Sequence, residues 1–329
     1  MTTLTTTADS TTPPPLSMTQ SSTQILSSHH SDYVHHVSFD IYGRRMATCS
    51  GDRVVRIWNL QGDGSWTLGS EFQAHRGAVN CVSWCHAEFG TLVATCGNDL
   101  DVKIWEERGK HWVMRVNLTD ARRLVTSVSF APRHLGLQLA TASADGTCRI
   151  YEAVDLQNVS QWPLQGSMQA FSAAGGITCL SWCTGRFEPP TLVLGGSTHL
   201  AIWRYTSGSR QWTSLLQFPK HAGPVLDVAW APNVGRRFHW IAATEQGGPL
   251  RVYKLDRESE LELTSIQVLP STGSWKCQWN VTGTVLATSG DAGIVQLWKC
   301  NAQGEWKCVS QVHGDLPSAG YGVDAMMQG

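Results

Sequence analysis

No apolar run in the 329-residue chain reaches 18 residues, and the first 43 residues contain neither Lys nor Arg. The first absence leaves no transmembrane helix, and the second excludes a basic signal sequence and an Arg-rich transit peptide, so a soluble intracellular chain with no membrane insertion is expected. Charge is also scarce, with 25 basic against 26 acidic residues and a net charge of -1. No global basic field is available to attract nucleic acid, so no direct nucleic-acid partner is expected. Catalytic signatures are missing too: there is no nucleophile elbow, Walker loop, dinucleotide fingerprint or paired-His zinc motif. The twelve histidines lack metal spacing. No enzyme activity, cofactor or metal is expected.

Cysteine is not scarce, with ten in all. Several sit inside strand-like runs (Cys49, Cys96, Cys148, Cys179), where a reduced thiol packs as a small hydrophobe. In neither Cys81/Cys85 nor Cys179/Cys183 is a two- to four-residue ligand gap repeated nearby with His or Cys partners, so they read as packing rather than zinc ligands.

Residues 1–31 hold sixteen Ser or Thr and the run Pro13-Pro14-Pro15, too polar to offset chain entropy by burial, and form a disordered tail. A propeller domain is expected over 32–315 and a flexible tail over 316–329. Within the domain one twelve-residue frame returns six times: ATCSGDRVVRIW (47–58), ATCGNDLDVKIW (94–105), ATASADGTCRIY (140–151), LVLGGSTHLAIW (192–203), AATEQGGPLRVY (242–253) and ATSGDAGIVQLW (287–298). The closing aromatics lie 47, 46, 52, 50 and 45 residues apart, close to the period of WD-type blades. A strand-like run precedes each frame, as in HVSF ending at Phe39 and CQW ending at Trp279. Another follows most frames, with MQAF (168–171) the weakest. Period-two alternation runs through all of them and helical periodicity is absent. Six four-stranded units in series, carrying 15 Trp, predict an all-β, six-bladed WD-repeat propeller whose aromatics fill the spaces between blades.

His75, Thr95, Asp99 and Trp105 stand at the spacing of a hydrogen-bonded blade tetrad. His, Asp and a hydroxyl also resemble a hydrolase triad, but the sixth frame position repeats and lapses (Asp52, Asp99, Asp145, Ser197, Gly247, Ala292), as a turn-stabilising residue can and a catalytic one cannot. In the sixth copy Asp291 is displaced by one residue.

A fastening strand is harder to find. The first unit starts with its innermost strand near Tyr33, and the sixth draws its outermost strand, Trp306 to Val312, from its own C-terminal segment. Only the short stretch Thr23–Ser27 is spare. Either the six blades meet face to face, or a gap with apolar walls remains for another protein to fill by donating a blade. The residues expected beside that gap are Val34, Val37 and Phe39 in the first blade and Trp275, Cys277 and Trp279 in the sixth.

HHVSFDIYGRRMATCSGDRVVRIW (35–58), HAEFG (86–90), FAPRHLGLQLATASADGTCRIYEA (130–153), DLQNVSQW (155–162), APNVGRRFH (231–239) and WNVTGTVLATSGDAGIVQLWK (279–299) together resemble the Seh nucleoporin family, sister to the Sec subunit of the COPII cage. The third-blade and fifth-blade segments favour the Seh branch. The resemblance implies an open propeller completed in trans by an α-solenoid scaffold nucleoporin of the outer-ring Y complex at the nuclear pore. It also implies a solenoid partner in the SEA/GATOR nutrient-signalling assembly at the vacuolar or lysosomal surface. The long tail, the short loop Thr184–Pro190 and the compact segment Leu269–Trp275 depart from the family pattern. A COPII coat subunit and a closed propeller that reads peptides or substrates are the rival readings.

Overall fold

The structure is a computed structural model that describes residues 26–257, 261–271, 273–301 and 303–313. Six four-stranded antiparallel sheets follow one another along the chain, each ordered from its inner strand outward in sequence. In the first, Val34–Phe39 pairs with Arg45–Ser50, then Val54–Leu60, then Trp66–Gln73. The inner strands of the other five are Val79–Trp84, Val125–Phe130, Ile177–Trp182, Val225–Trp230 and Ser274–Trp279. The twelve-residue frame forms the second and third strands of every blade, as its alternation requires. The third blade's outer strand is Leu164–Gln169, displaced toward the N-terminus from the run 168–171. The expected spare strand at residues 23–27 lies partly outside the described residues, and Leu26 and Ser27 form no strand.

In four of the six frames the hairpin turns through a left-handed residue at the seventh position, and in the fifth through Gly247 (φ 67°) at the sixth. Glycine supplies it in the third and sixth blades (Gly146, φ 82°; Gly293, φ 65°), whereas Arg53 (φ 74°) and Leu100 (φ 72°) adopt it in the first two against the steric preference of a side chain.

A lone sheet of this kind has two apolar faces, so each blade is buried by its neighbours. Ala47, Cys49, Val55 and Ile57 of the first blade pack on Val82, Val93, Trp105 and Trp112 of the second. Comparable clusters join second to third, third to fourth, fourth to fifth and fifth to sixth. Inner strands contact one another in that same order, and no comparable packing joins Ser274–Trp279 to Val34–Phe39. No helix among the described residues is long and apolar enough to cross a membrane.

Candidate partner interface: the open faces of the first and sixth blades

Each inner strand carries a β-bulge at its second residue: His35, Asn80, Thr126, Thr178, Leu226 and Trp275. The bulge turns that side chain toward the following blade. His35 Nδ1 donates to the Val79 carbonyl (2.9 Å), Asn80 Nδ2 to Val125 O (2.8 Å), Thr126 Oγ1 to Ile177 O (2.8 Å) and Thr178 Oγ1 to Val225 O (2.6 Å). The series of hooks therefore runs from the first blade to the fifth, where Leu226 supplies an apolar side chain instead. Trp275 occupies the same position in the last blade and is 57% exposed.

Positions that are equivalent by register show which faces lack cover. On the side toward the following blade, Ala47, Ala94, Ala140, Val193 and Ala242 are fully buried. Their cross-strand partners Ile57, Ile104, Ile150, Ile202 and Val252 are at most 2% exposed. In the sixth blade the same pair, Ala287 and Leu297, is only partly buried, as is Val295. On the side toward the preceding blade, Val82, Val128, Leu180, Val228 and Cys277 are at most 7% exposed, but Val37 in the first blade is 43% exposed. Phe39 is 51% exposed where Phe130, Trp182, Trp230 and Trp279 are at most 8%. Val34, whose counterpart in the second blade is fully buried, is also exposed.

Of the six residues expected to border a gap, Val34, Val37, Phe39 and Trp275 thus stand on uncovered surface. Cys277 and Trp279 do not. They pack on the fifth blade, where Trp279 Nε1 donates to Ala229 O (3.0 Å) and the Cys277 thiol reaches Ala242 O (3.7 Å). The bulge at Trp275 reverses side-chain parity, so the two later residues face the opposite way. Ala287, Val295 and Leu297 take their place on the open face. Aligning the six frames on Ala47 and Ile57 would have found the pair Ala287 and Leu297.

The described end of the N-terminal segment covers the outer part of the first blade's open face. His30 Nδ1 donates to Asp52 Oδ2 (2.8 Å), Thr48 Oγ1 donates to His30 Nε2 (2.9 Å), and Trp58 Nε1 donates to Thr48 Oγ1 (3.1 Å). His29 stacks beside Trp58 with ring centroids 6.3 Å apart. The same relay in the second blade uses His75, Asp99, Thr95 and Trp105 at 2.8, 2.8 and 3.0 Å. Burial lowers the His75 pKa despite the opposing pull of Asp99. The Asp99 carboxyl is also lowered: burial works against this, and hydrogen bonds from Arg76 N and His75 outweigh it. The imidazole is thus a neutral relay between two partners.

The fifth blade rebuilds the motif from other residues. His221 Nδ1 donates to Glu245 Oε2 (2.7 Å) and the Tyr253 hydroxyl reaches His221 Nε2 (2.9 Å) directly, with no Thr between. Glu245 lies two residues before the frame position occupied by Gly247, so counting positions in the frame missed it. In the sixth blade Trp298 keeps its bond to Thr288, and Ser271 stands near the strand entry against Gln296. One relay recurring in separate blades, buried at turns, holds hairpins together. No group of His, Cys, Asp or Glu among the described residues is arranged to hold a metal ion.

Comparison with known proteins agrees with this architecture. The model of the WD domain, G-beta repeat, matches residues 20–59, 66–106 and 116–152. Nucleoporin SEH1 of Danio rerio is 39% identical over 315 residues, covering 87% of this chain and 86% of its own. Nucleoporin SEH1-A of Xenopus laevis is 39% identical and nucleoporin SEH1 of Homo sapiens 37%, each with 87% of both chains covered.

Proposed function

The chain belongs to the nucleoporin SEH1 family, and on that premise we propose that it is a non-enzymatic scaffold subunit of the nuclear pore, completed by a blade from another polypeptide. The observation that carries the reading is the partial exposure of Ala287 and Leu297, whose five counterparts are buried. A β-sheet presented by a partner would cover this face and the Val37/Phe39 face together, and would give Trp275 and the Val34 carbonyl the neighbours that other blades have. Two sheet faces buried at once belong to the obligate interface class, on the order of 2,000–5,000 Å².

The partner that fits is an α-solenoid scaffold nucleoporin of the outer-ring Y complex, with its extra strands inserted between the terminal blades. A solenoid subunit of the SEA/GATOR assembly would engage the same faces, so the two partners would compete for one site, at the nuclear envelope or at the vacuolar or lysosomal surface. A photo-cross-linking residue placed at Val37 or at Leu297 in the full chain, expressed in cells, tests this. Capture of one solenoid protein from both positions is the expected result. Cross-links running only between the first and sixth blades would mean that the ring closes on itself and would defeat the reading.

A further inference from the structure

A cleft of about 530 Å³ opens between the fifth and sixth blades, on the face formed by the hairpins that join first to second and third to fourth strands. It lies on the opposite side of the sixth blade from the vacancy. Its floor is aromatic: Trp240 and Trp306 meet edge to face with centroids 5.5 Å apart, and Phe238 stands half-exposed beside Trp240 at 5.4 Å. Its rim is cationic. Lys254 Nζ sits 4.5 Å from the centre of the Phe238 ring, and Lys299 and Arg236 complete the edge.

Among the described residues no Asp or Glu lines this cleft, and none of the three cations has an ion-pair partner there. Arg236 spends its terminal nitrogens on two carbonyls, Gly283 O (2.7 Å) and Pro232 O (2.6 Å). Its Nε, like Trp306 Nε1, is buried without an acceptor. The carboxylate of the neighbouring hairpin, Glu305, is engaged by Asn301 and Lys307. Donors and positive charge are thus in excess at one apolar depression, while the chain as a whole has a net charge of -1 and no basic field. An ammonium held over an aromatic ring is favourable, and it keeps its remaining N–H donors for an anionic acceptor.

We propose that this cleft docks an acidic, extended segment of a partner protein, its carboxylates on Lys254 and Lys299 and an apolar side chain over Phe238. A peptide fits better than a nucleic acid, because the positive charge is confined to one cleft and does not continue along a phosphate-sized track.

The test is fluorescence polarisation on the full chain with a labelled Glu-Glu-Phe-Glu-Glu peptide, with Lys-Lys-Phe-Lys-Lys, a single-stranded RNA 12-mer and inorganic phosphate as competitors. The expected result is saturable binding of the acidic peptide that weakens with added salt. Lys299→Glu, an exposed change, should lower affinity at least about tenfold, and adding Lys254→Gln should lower it further, each with an unchanged melting transition. Binding that is absent, or unaltered in the Lys299→Glu variant, overturns the proposal. Displacement by the RNA or by phosphate alone at concentrations equal to the peptide's overturns the assignment to a protein segment.

Discussion

His30 reaches back across the first hairpin and places Nδ1 2.8 Å from the Asp52 carboxylate, the same separation at which His75 meets Asp99 in the second blade. In the second blade that histidine arrives on the connection from the blade before. In the first blade there is no blade before, and the N-terminal segment stands in for it.

Replacing His30 by Ala breaks this relay and leaves Thr48 and Asp52 each short of a partner, which should cost about 1–2 kcal/mol. Equilibrium urea unfolding measures it. An unchanged midpoint would mean that the segment lies on the blade without holding it.

Leu297 and Ile104 occupy equivalent positions but differ in cover. Ile104→Asp should cost about 4 kcal/mol or more and prevent folding, because it buries an unpaired carboxylate between two blades. Leu297→Asp in the isolated chain should cost about 1 kcal/mol and yet abolish capture of the blade-donating partner. Thermal melts and co-purification of the two variants separate these outcomes.

Arg45 ties the first blade to the second by a two-pronged pair with Glu107 (2.6 and 2.8 Å) while its guanidinium lies 5.1 Å from the centre of the Trp84 ring. Lysine can reproduce neither the fork nor the planar stacking. Arg45→Lys is expected to lower stability by about 1 kcal/mol, measured by urea denaturation, and to weaken further with salt if the pair is partly hydrated.

Stability should decline with acidification in two stages. Burial lowers the pKa of His75 and of His221 in the fold, so the unfolded chain binds more protons as pH falls below about 6.5, and stability drops. Asp99 is lowered from 3.8 and Asp145 from 3.8 to about 2, the latter because the Arg149 bond and the backbone donors at Arg122 and Thr147 outweigh burial. Their stabilisation is complete above about pH 4 and is lost between there and about pH 2. Urea midpoints from pH 8 to pH 2 should show both declines, and His75→Gln should reduce the first.

Eight of the ten cysteines are buried free thiols, Cys300 is half-buried and Cys308 is exposed. Burial pushes Cys85, Cys148, Cys179 and Cys183 up to about 12, which removes their thiolate at neutral pH. A thiol reagent should therefore label Cys308 promptly and the buried eight only on unfolding. Prompt labelling of Cys49 or Cys148 would show that the blades open readily.

Six blades, their order and their hairpins were legible along the chain, because a strand's alternation and its turn are local and each frame repeats them with small or polar turn residues and a closing aromatic. The relay of His75, Thr95, Asp99 and Trp105 was legible for the same reason. His30 was not, since it sits in a polar segment whose composition argues against order and acquires its place only through contacts with Thr48 and Asp52. Nor was Glu245, which replaces a missing aspartate from a different position and meets His221 only across the fold.

What the sequence by itself determined is the set of sheets and the apolar character of both their faces. Which of those faces stays uncovered was a tertiary decision. A bulge at Trp275 sends that ring one way and Cys277 and Trp279 the other, and period-two counting cannot register such a reversal. Whether Ala287 and Leu297 become core, as Ala47 and Ile57 do, depends on whether a neighbouring sheet arrives, and the first blade, already at its place in the ring, does not reach them.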